Sequence, residues 1–188
     1  MKLTAKVKLV TGQLPHAALH ETMARANSAC NWISELAWDK QVFQAFAIQK
    51  LAYYSVKEQF GLAAQVVIRC ISKVADAYKL DKQTKRVFHP TGAISFDDRI
   101  LKWHLDKRLV SIWTTSGRLK IPFVGGERQL ALLHSRQGES DLLLRGGIFY
   151  LAATCNVEEP NPYDVTEFLG VDLGIAQIAT DSDGIQVL

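Results

Sequence analysis

The chain has 188 residues, of which 48% are hydrophobic and 22% are charged, and its formal net charge is +3 at pH 7. This composition is typical of a globular protein with a packed core, in one ordinary domain or two small ones, and it excludes a disordered chain. No apolar run approaches the roughly 20 residues of a membrane span, and the first residues do not resemble a signal peptide, so we expect a cytoplasmic protein with no membrane partner.

The first part of the chain predicts one strand followed by three helices. Residues 2–10, KLTAKVKLV, alternate apolar side chains with polar ones, which indicates a half-buried strand with lysines on its wet face. Apolar residues at steps of three and four then predict helices at 15–38, 42–60 and 62–79, and Gly61 is the expected left-handed residue after the second helix. Three consecutive helices predict a small bundle.

The same spacing predicts which helix faces turn inward. On the second helix the predicted apolar side consists of Phe43, Phe46, Ala47, Leu51 and Tyr54. On the third helix the predicted outward side consists of Gln65, Arg69, Lys73 and Asp76.

After residue 85 the pattern changes to short β-rich runs separated by turn residues, which is typical of a small barrel or sandwich. The predicted strands are 87–88, 94–96, 100–105, 109–114, 118–123, 142–145 and 148–157. Ser116-Gly117 and Gly146-Gly147 are signals of tight hairpins, and residues 127–136 fit a short helix or an ordered loop.

The proline-rich acidic run EEPNPYDVTE, residues 158–167, predicts a linker. The expected fold class is α+β. Residues 1–10 and 86–157 would form a β-barrel, residues 11–85 a helical insertion, and residues 168–188 the start of a further domain.

The run FLGVDL, residues 168–173, reads as a buried strand that contains Asp172. Burial of a lone carboxylate costs several kcal/mol unless it is paired, hydrogen-bonded or bound to a metal ion, so Asp172 is the leading site candidate. The alternatives are a carboxylate that caps a turn and one that points to solvent from an alternating strand.

Charge is distributed unevenly along the chain. Residues 69–136 contain 14 Lys and Arg against 6 acids, whereas residues 137–188 contain 1 against 9. The basic middle suits a polyanionic partner or an ordinary charged surface, and the acidic tail suits metal-binding carboxylates or a solvated linker. The three cysteines are odd in number and far apart, with no zinc-ligand spacing, so we expect core thiols and no zinc site.

Four segments occur in a characteristic order: HPTGAISFDDRILKW at 89–103, GRLKIPFVGGERQLALL at 117–133, GGIFYLAATCNVEEP at 146–160 and FLGVDLGIAQIATDSDG at 168–184. Together they resemble the TnpB (OrfB-type) proteins of bacterial insertion sequences, which are similar to the compact type V CRISPR effectors. A lone DLG would be a weak signal, whereas four segments in this order, in a match that covers essentially all of the chain, are much more specific.

The resemblance implies an RNA-guided DNA endonuclease. In that family a wedge-type β-barrel and an inserted helical recognition domain hold a guide RNA and a motif of the target double-stranded DNA, and a RuvC-like (RNase H-like) domain cuts. Asp172 matches the family's first-strand Asp, which is catalytic and binds a Mg2+ ion, and this fold hydrolyses phosphodiesters with two such ions. Asp181 and Asp183 would belong to the first hairpin turn and are not expected to be ligands.

The sequence also departs from the family. The family's nuclease needs a Glu from a later strand, a further Asp from a later helix and commonly a four-cysteine zinc module, and we expect none of these in the residues given after Asp172. We therefore expect that this chain does not cleave DNA by itself, and that it is a truncation or one part of an assembly in which a second polypeptide completes the nuclease domain.

Nucleic-acid binding does not need those carboxylates. By placement, Tyr53, Gln65 and Arg69 resemble the family's reader of the target-adjacent duplex, and Tyr53 is expected to be freer than Tyr54. Each of the further basic candidates alone fits plain solvated surface as well. These candidates for phosphate contacts are Lys73, Lys85, Arg86, Lys102, Arg118 and Lys120.

Three rival interpretations stay open. The alternative function is a non-catalytic nucleic-acid-binding protein, such as a nuclease-dead regulator or an inactive truncated transposon product. VDLG after a strand also occurs in actin-like and heat-shock chaperone ATPases, but those hairpins open the chain and continue with Thr or Ser, where this sequence has residues 175–177, IAQ. A purely structural interaction module would bind no nucleic acid.

Overall fold

The computed structural model describes residues 1–159, 166–174, 178–183 and 186–187. The chain divides into two compact units, Met1–Val157 and Glu158–Leu188. The predicted linker at 158–167 lies mostly outside the described residues. In the part of the chain that is described, no helix has the length and apolar character needed to cross a bilayer.

Three long helices form a bundle in the first unit. They are α1 (Gln13–Lys40), α2 (Ala45–Phe60) and α3 (Ala64–Leu80), and a short helix, α4 (Glu127–Leu132), follows later in the chain. The bundle was predicted from the periodicity and is confirmed. Gly61 ends α2 with a φ of 58°, a left-handed conformation that favours glycine.

Seven antiparallel strands form a nearly closed, barrel-like sheet in the same unit, so the expected α+β class is confirmed. The strands are β1 (Lys2–Leu9), β2 (Ile94–Phe96), β3 (Leu101–His104), β4 (Leu109–Thr114), β5 (Gly117–Val124), β6 (Arg136–Arg145) and β7 (Ile148–Asn156). Their order across the sheet is β2-β6-β7-β1-β5-β4-β3. Trp103 of β3 donates its indole N–H to Ser140 Oγ of β6 at 3.2 Å, which connects the two ends of the sheet.

Local turn chemistry sets both predicted hairpins. Gly146 and Gly147 have φ values of 54° and 75°, the pattern of a two-residue turn with both central residues left-handed, and they join β6 to β7. Gly117, with a φ of 99°, follows the turn between β4 and β5. Glycine adopts such values without the clash that a Cβ would cause.

The strand predicted at residues 87–88 does not form. Asn31 of α1 replaces the missing strand neighbour, because its side-chain amide donates to Phe88 O at 2.9 Å and accepts from Phe88 N at 2.7 Å. The backbone of Phe88 is therefore satisfied by a side chain and needs no sheet ladder.

The predicted inward face of α2 is also wrong. The buried residues of α2 are Ile48, Ala52 and Val56, whereas Phe46 and Tyr54 are exposed. Apolar residues occur on two sides of this helix, so periodicity alone does not decide which side packs on α1 and α3.

The second unit contains three short strands, β8 (Val171–Asp172), β9 (Ala179–Asp181) and β10 (Gln186–Val187), in the antiparallel order β10-β9-β8. The prediction of a buried strand over residues 168–173 is wrong. Phe168 and Leu173 are 87% and 76% exposed, and Asp172 is exposed as well. Strands of two or three residues offer too little surface to cover their own apolar side chains.

Candidate nucleic-acid interface

One side of the barrel-like sheet is free of acidic residues over five consecutive strands. The strands β7, β1, β5, β4 and β3 are neighbours in the sheet, and none of them contains Asp or Glu. Their basic side chains all lie at exposed alternate positions, opposite to the core face. We call this surface the basic face, and its six basic residues are Lys2, Lys6, Lys8, Lys102, Arg118 and Lys120.

Strand register brings two of the predicted lysines together. Lys102 of β3 and Lys120 of β5 both pair with Ser111 of β4, from opposite sides. Directly paired residues point to the same face, and neighbouring strands lie about 4.8 Å apart, so the two lysine positions are separated by roughly 10 Å. Neither lysine forms an ion pair or hydrogen bond with any residue that the structure describes. Both charges are therefore available to a ligand.

Arg118 is held in place next to this row. Its guanidinium donates to Ser111 O at 3.1 Å and to Arg99 O at 2.8 Å. Arg118 of β5 is directly paired with Trp113 of β4, which is half-buried. Carbonyl acceptors orient the guanidinium but leave its charge uncompensated. A positioned Arg next to an aromatic ring is a common arrangement in surfaces that bind phosphate and bases.

The β1 lysines extend the basic face and were not among the predicted site residues. Lys6 lies over the ring of Tyr150, with Nζ 5.4 Å from the ring centroid, and Lys8 is paired with Val124 of β5 and Tyr150 of β7. The alternation of β1 had indicated that its lysines are exposed. The pairing of β1 with β5 and β7 could not be predicted, because these strands are more than 100 residues away along the chain.

Two of the predicted readers of a DNA duplex are engaged within the protein. Gln65 donates to Asp97 Oδ2 at 2.5 Å, and the Arg69 guanidinium forms an ion pair with Glu139 of β6. The Arg69 side chain is only 20% exposed, and its Nε is buried without a hydrogen-bond partner among the described residues. These side chains connect α3 to the barrel.

Lys73, predicted to contact phosphate, is also bound internally. Its Nζ donates to Asn27 Oδ1 at 2.6 Å and to Ala93 O at 2.8 Å, and it lies 5.0 Å from the centroid of the Phe88 ring. These contacts hold the segment before β2 against the helices.

The remaining basic candidates near the end of α3 have acidic partners. Arg86 pairs with Asp81 at 2.7 Å, and Lys85 pairs with Glu35 at 3.3 Å. The backbone N–H of Gln83 and then the charge of Arg86 lower the pKa of Asp81. Both positive charges are thus partly compensated, whereas those of Lys102 and Lys120 are not.

The exposures of the two tyrosines of α2 are the reverse of the prediction. Tyr54 is 80% exposed, whereas Tyr53 is half-buried and packs against the core. Their rings meet edge to face with centroids 5.2 Å apart. Tyr54 is therefore the tyrosine that is accessible to a ligand.

Asp172 lies on β8, at the edge of the three-stranded sheet, where it pairs with Thr180 of β9. Asp181 Oδ1 accepts a hydrogen bond from Asp183 N at 3.0 Å, a contact typical of a turn. No group of three or more His, Cys, Asp or Glu side chains that could hold a metal ion occurs among the described residues. Asp172 presents an exposed carboxylate, which is a ligand type that Mg2+ accepts.

Comparison with known proteins adds no relative. No model of a protein family matches this chain, and no curated protein matches it.

Proposed function

We propose that this chain binds nucleic acid through the basic face, as the guide-RNA-binding and target-DNA-binding part of a TnpB-like RNA-guided DNA endonuclease. The observation that supports the proposal is the acid-free surface of five consecutive strands with six exposed basic residues. A phosphate backbone gains most from such a surface, because each neutralised phosphate releases condensed counterions.

The assignment of guide RNA and target double-stranded DNA as partners rests on the four ordered segments that resemble the family. In this proposal the basic face holds the RNA backbone, since Arg118 and Trp113 combine a positioned charge with a stacking surface. Tyr54 and its neighbour Lys57, both exposed on α2, are the accessible groups that would meet the target duplex.

In this proposal, cleavage requires metal-binding carboxylates in addition to that of Asp172. Asp172 would supply one carboxylate of a Mg2+ site, and bound Mg2+ would stabilise the charge that develops on phosphate oxygens. The chain's own contribution is to present Asp172 at a sheet edge, where a further strand can pair. A RuvC-like domain completed in this way, by a second polypeptide or by further chain, would be required for hydrolysis.

The second candidate is a non-catalytic nucleic-acid-binding protein, such as a nuclease-dead regulator. The exposure of Asp172 favours it for this chain on its own. Both candidates need the basic face, and they differ in whether added carboxylates produce cleavage.

The test of binding is the salt dependence of affinity for a structured RNA and for a DNA duplex. We expect the double variant Lys102→Gln/Lys120→Gln to bind more weakly and to lower the magnitude of the slope of log K against log salt concentration by about 2, one for each lost phosphate contact. The matched control is Lys40→Gln/Lys50→Gln, which removes two exposed helical charges that have no role in the proposed interface.

Two results would contradict the proposal. One is binding that does not depend on salt, or no binding at all, by the unmodified chain. The other is an equal loss of RNA affinity in the two double variants, which would mean that Lys102 and Lys120 act only through the net charge of the protein. Mg2+-dependent cleavage of target DNA by this chain alone would contradict the expectation that its carboxylates are incomplete.

A further inference from the structure

A cleft of about 240 Å3 lies on the barrel-like sheet beside β2 and β6. The segment that precedes β2 forms one wall, and the last residues of β6 form the other. The residues that line it are His89, Thr91, Gly92, Ala93, Leu143, Leu144 and Arg145. Pockets for drug-sized ligands usually have about 300–1,000 Å3, so this cleft suits a smaller group.

The wall before β2 is rigid and preformed. Asn27 of α1 donates to Gly92 O at 2.8 Å and to Pro90 O at 3.2 Å, and Lys73 of α3 donates to Ala93 O at 2.8 Å. A Cβ at Gly92 would lie 3.0 Å from His89 O and 3.3 Å from Asn27 Oδ1, so the turn is too tight for a larger residue without a shift. A preformed wall lowers the entropic cost of binding a ligand.

The side chain of His89 is oriented by its own turn. The backbone N–H of Thr91 donates to His89 Nδ1 at 3.2 Å, and Thr91 Oγ1 lies 2.9 Å from the same nitrogen. Because Nδ1 accepts the backbone hydrogen bond, the ring proton of the neutral imidazole is on Nε2. His89 therefore offers a fixed N–H donor.

The wall on β6 adds a charge and a backbone donor. Arg145 is exposed and forms no ion pair with any described residue, and none of the residues that line the cleft is acidic. Arg145 and Ile148 flank the two-residue turn, so the backbone N–H of Leu144 points away from β7. On that side the pairing with β2 begins only at Leu142 and Ile94, which leaves the edge at Leu144 without a neighbouring strand among the described residues.

We infer that this cleft binds a phosphate group, with the Arg145 guanidinium as the cation and the Nε2–H of His89 and the backbone N–H of Leu144 as donors. A guanidinium with two N–H donors and no carboxylate nearby selects a tetrahedral oxyanion over a cation or an apolar ligand. Two sources share this chemistry: free phosphate or a mononucleotide, and the terminal phosphate of a nucleic-acid strand. The inference does not rest on the basic face.

The test is calorimetric titration in phosphate-free buffer with inorganic phosphate and with AMP. We expect Arg145→Met to weaken phosphate binding at least about tenfold, since the variant loses the charge-assisted hydrogen bonds of the guanidinium. His89→Asn keeps an acceptor near the Nδ1 position for Thr91 N–H but removes the Nε2 donor, so it should also weaken binding. The matched control Arg128→Met removes an exposed charge on α4 and should leave the affinity unchanged.

A pair of oligonucleotides with and without a 5′-phosphate distinguishes the two sources. A preference for the phosphorylated strand that disappears in Arg145→Met assigns the cleft to a strand end, whereas phosphate or AMP binding without that preference assigns it to a free ligand. The double variant Lys102→Gln/Lys120→Gln should retain phosphate binding, which separates this inference from the proposed function. Equal affinities of Arg145→Met and Arg128→Met, or no phosphate binding up to about 10 mM, would overturn it. Unchanged thermal unfolding of the variants in the absence of phosphate shows that they are folded.

Discussion

Asn31 and Phe88 form a pair of hydrogen bonds in which a helix side chain takes the place of a strand. The Asn31 amide donates to Phe88 O and accepts from Phe88 N, at 2.9 and 2.7 Å. The contact fixes the path of the chain between α3 and β2, where the described residues 81–93 contain no strand. It therefore couples the helical bundle to the barrel.

We predict that Asn31→Leu lowers the free energy of unfolding by about 2–4 kcal/mol, because two backbone groups of Phe88 lose their partners in a half-buried position. Urea unfolding followed by circular dichroism measures the change. Asn156→Ala is the control, because among the described residues the Asn156 side-chain amide bonds only to Gln137, on the surface, and the variant should change the stability by less than about 0.5 kcal/mol. Similar effects of the two variants would contradict the coupling role of Asn31.

The adjacent tyrosines of α2 give a second prediction. Tyr53→Ala should destabilise the protein by about 2–4 kcal/mol, because its ring packs against the core, whereas Tyr54→Ala should cost less than about 1 kcal/mol. Thermal unfolding of the two variants compares them directly. In binding assays with target DNA the order should reverse, with Tyr54→Ala causing the larger loss of affinity. A larger loss for Tyr53→Ala at unchanged stability would restore the original assignment.

Some features of the fold could be predicted from the sequence, and others could not. Gly61 and the pair Gly146-Gly147 were predicted correctly, because glycine at a left-handed position is a local signal. The face of α2 that packs was not, since Phe46 and Tyr54 have the same helical spacing as the residues that are buried instead. Tertiary contacts decided between two local patterns of similar strength.

The candidate site shows the same limit. The exposure of the lysines on β1 followed from alternation, but their place in the basic face depends on pairings with β5 and β7, which are far away in sequence. Similarly, Arg69 is on the predicted outward side of α3, and only the fold brings it to Glu139. Contacts between residues that are far apart in sequence therefore decide which basic residues are free and which have an acidic partner.

The pair of Arg69 and Glu139 gives a third prediction. Because the Arg69 side chain is mostly buried, Glu139→Gln should remove charge compensation and lower the free energy of unfolding by about 1–3 kcal/mol, measured by urea unfolding. Arg69→Met should destabilise less, since it removes the buried charge together with its unpaired Nε. We expect the RNA affinity of Arg69→Met to stay within about threefold of the unmodified chain, which corresponds to less than about 1 kcal/mol. A selective loss of DNA binding in this variant would instead support Arg69 as a reader of base edges.

Asp81 gives a prediction for acidic conditions. The backbone N–H of Gln83, then the charge of Arg86 and the side chain of Thr84, lower the pKa of Asp81 in the folded protein. A carboxyl whose pKa is lower in the folded state contributes stability above its unfolded pKa of about 4, and this contribution is lost as the pH falls through the folded value. Asp81→Asn should therefore be less stable than the unmodified chain near pH 6, and the difference should shrink below about pH 4. A difference that is constant between these pH values would show that the effect of the substitution does not depend on the charge of Asp81.

Cys70 gives the opposite sign at alkaline pH. A hydrogen bond with Cys30, followed by burial, raises the pKa of the Cys70 thiol, and the nearby charge of Lys73 opposes this change only in part. The thiol ionises in the unfolded chain above about pH 8.5 but stays protonated in the folded protein, so the stability falls as the pH rises through this range.

Since the thiolate is the form that reacts, Cys70 should also be alkylated by iodoacetamide at least about 100-fold more slowly in the folded protein than in urea. Mass spectrometry after timed quenching measures both rates. Cys70→Ala should remove part of the alkaline loss of stability. Rapid alkylation of Cys70 in the folded protein would mean that α1 and α3 separate there far more often than their packing implies.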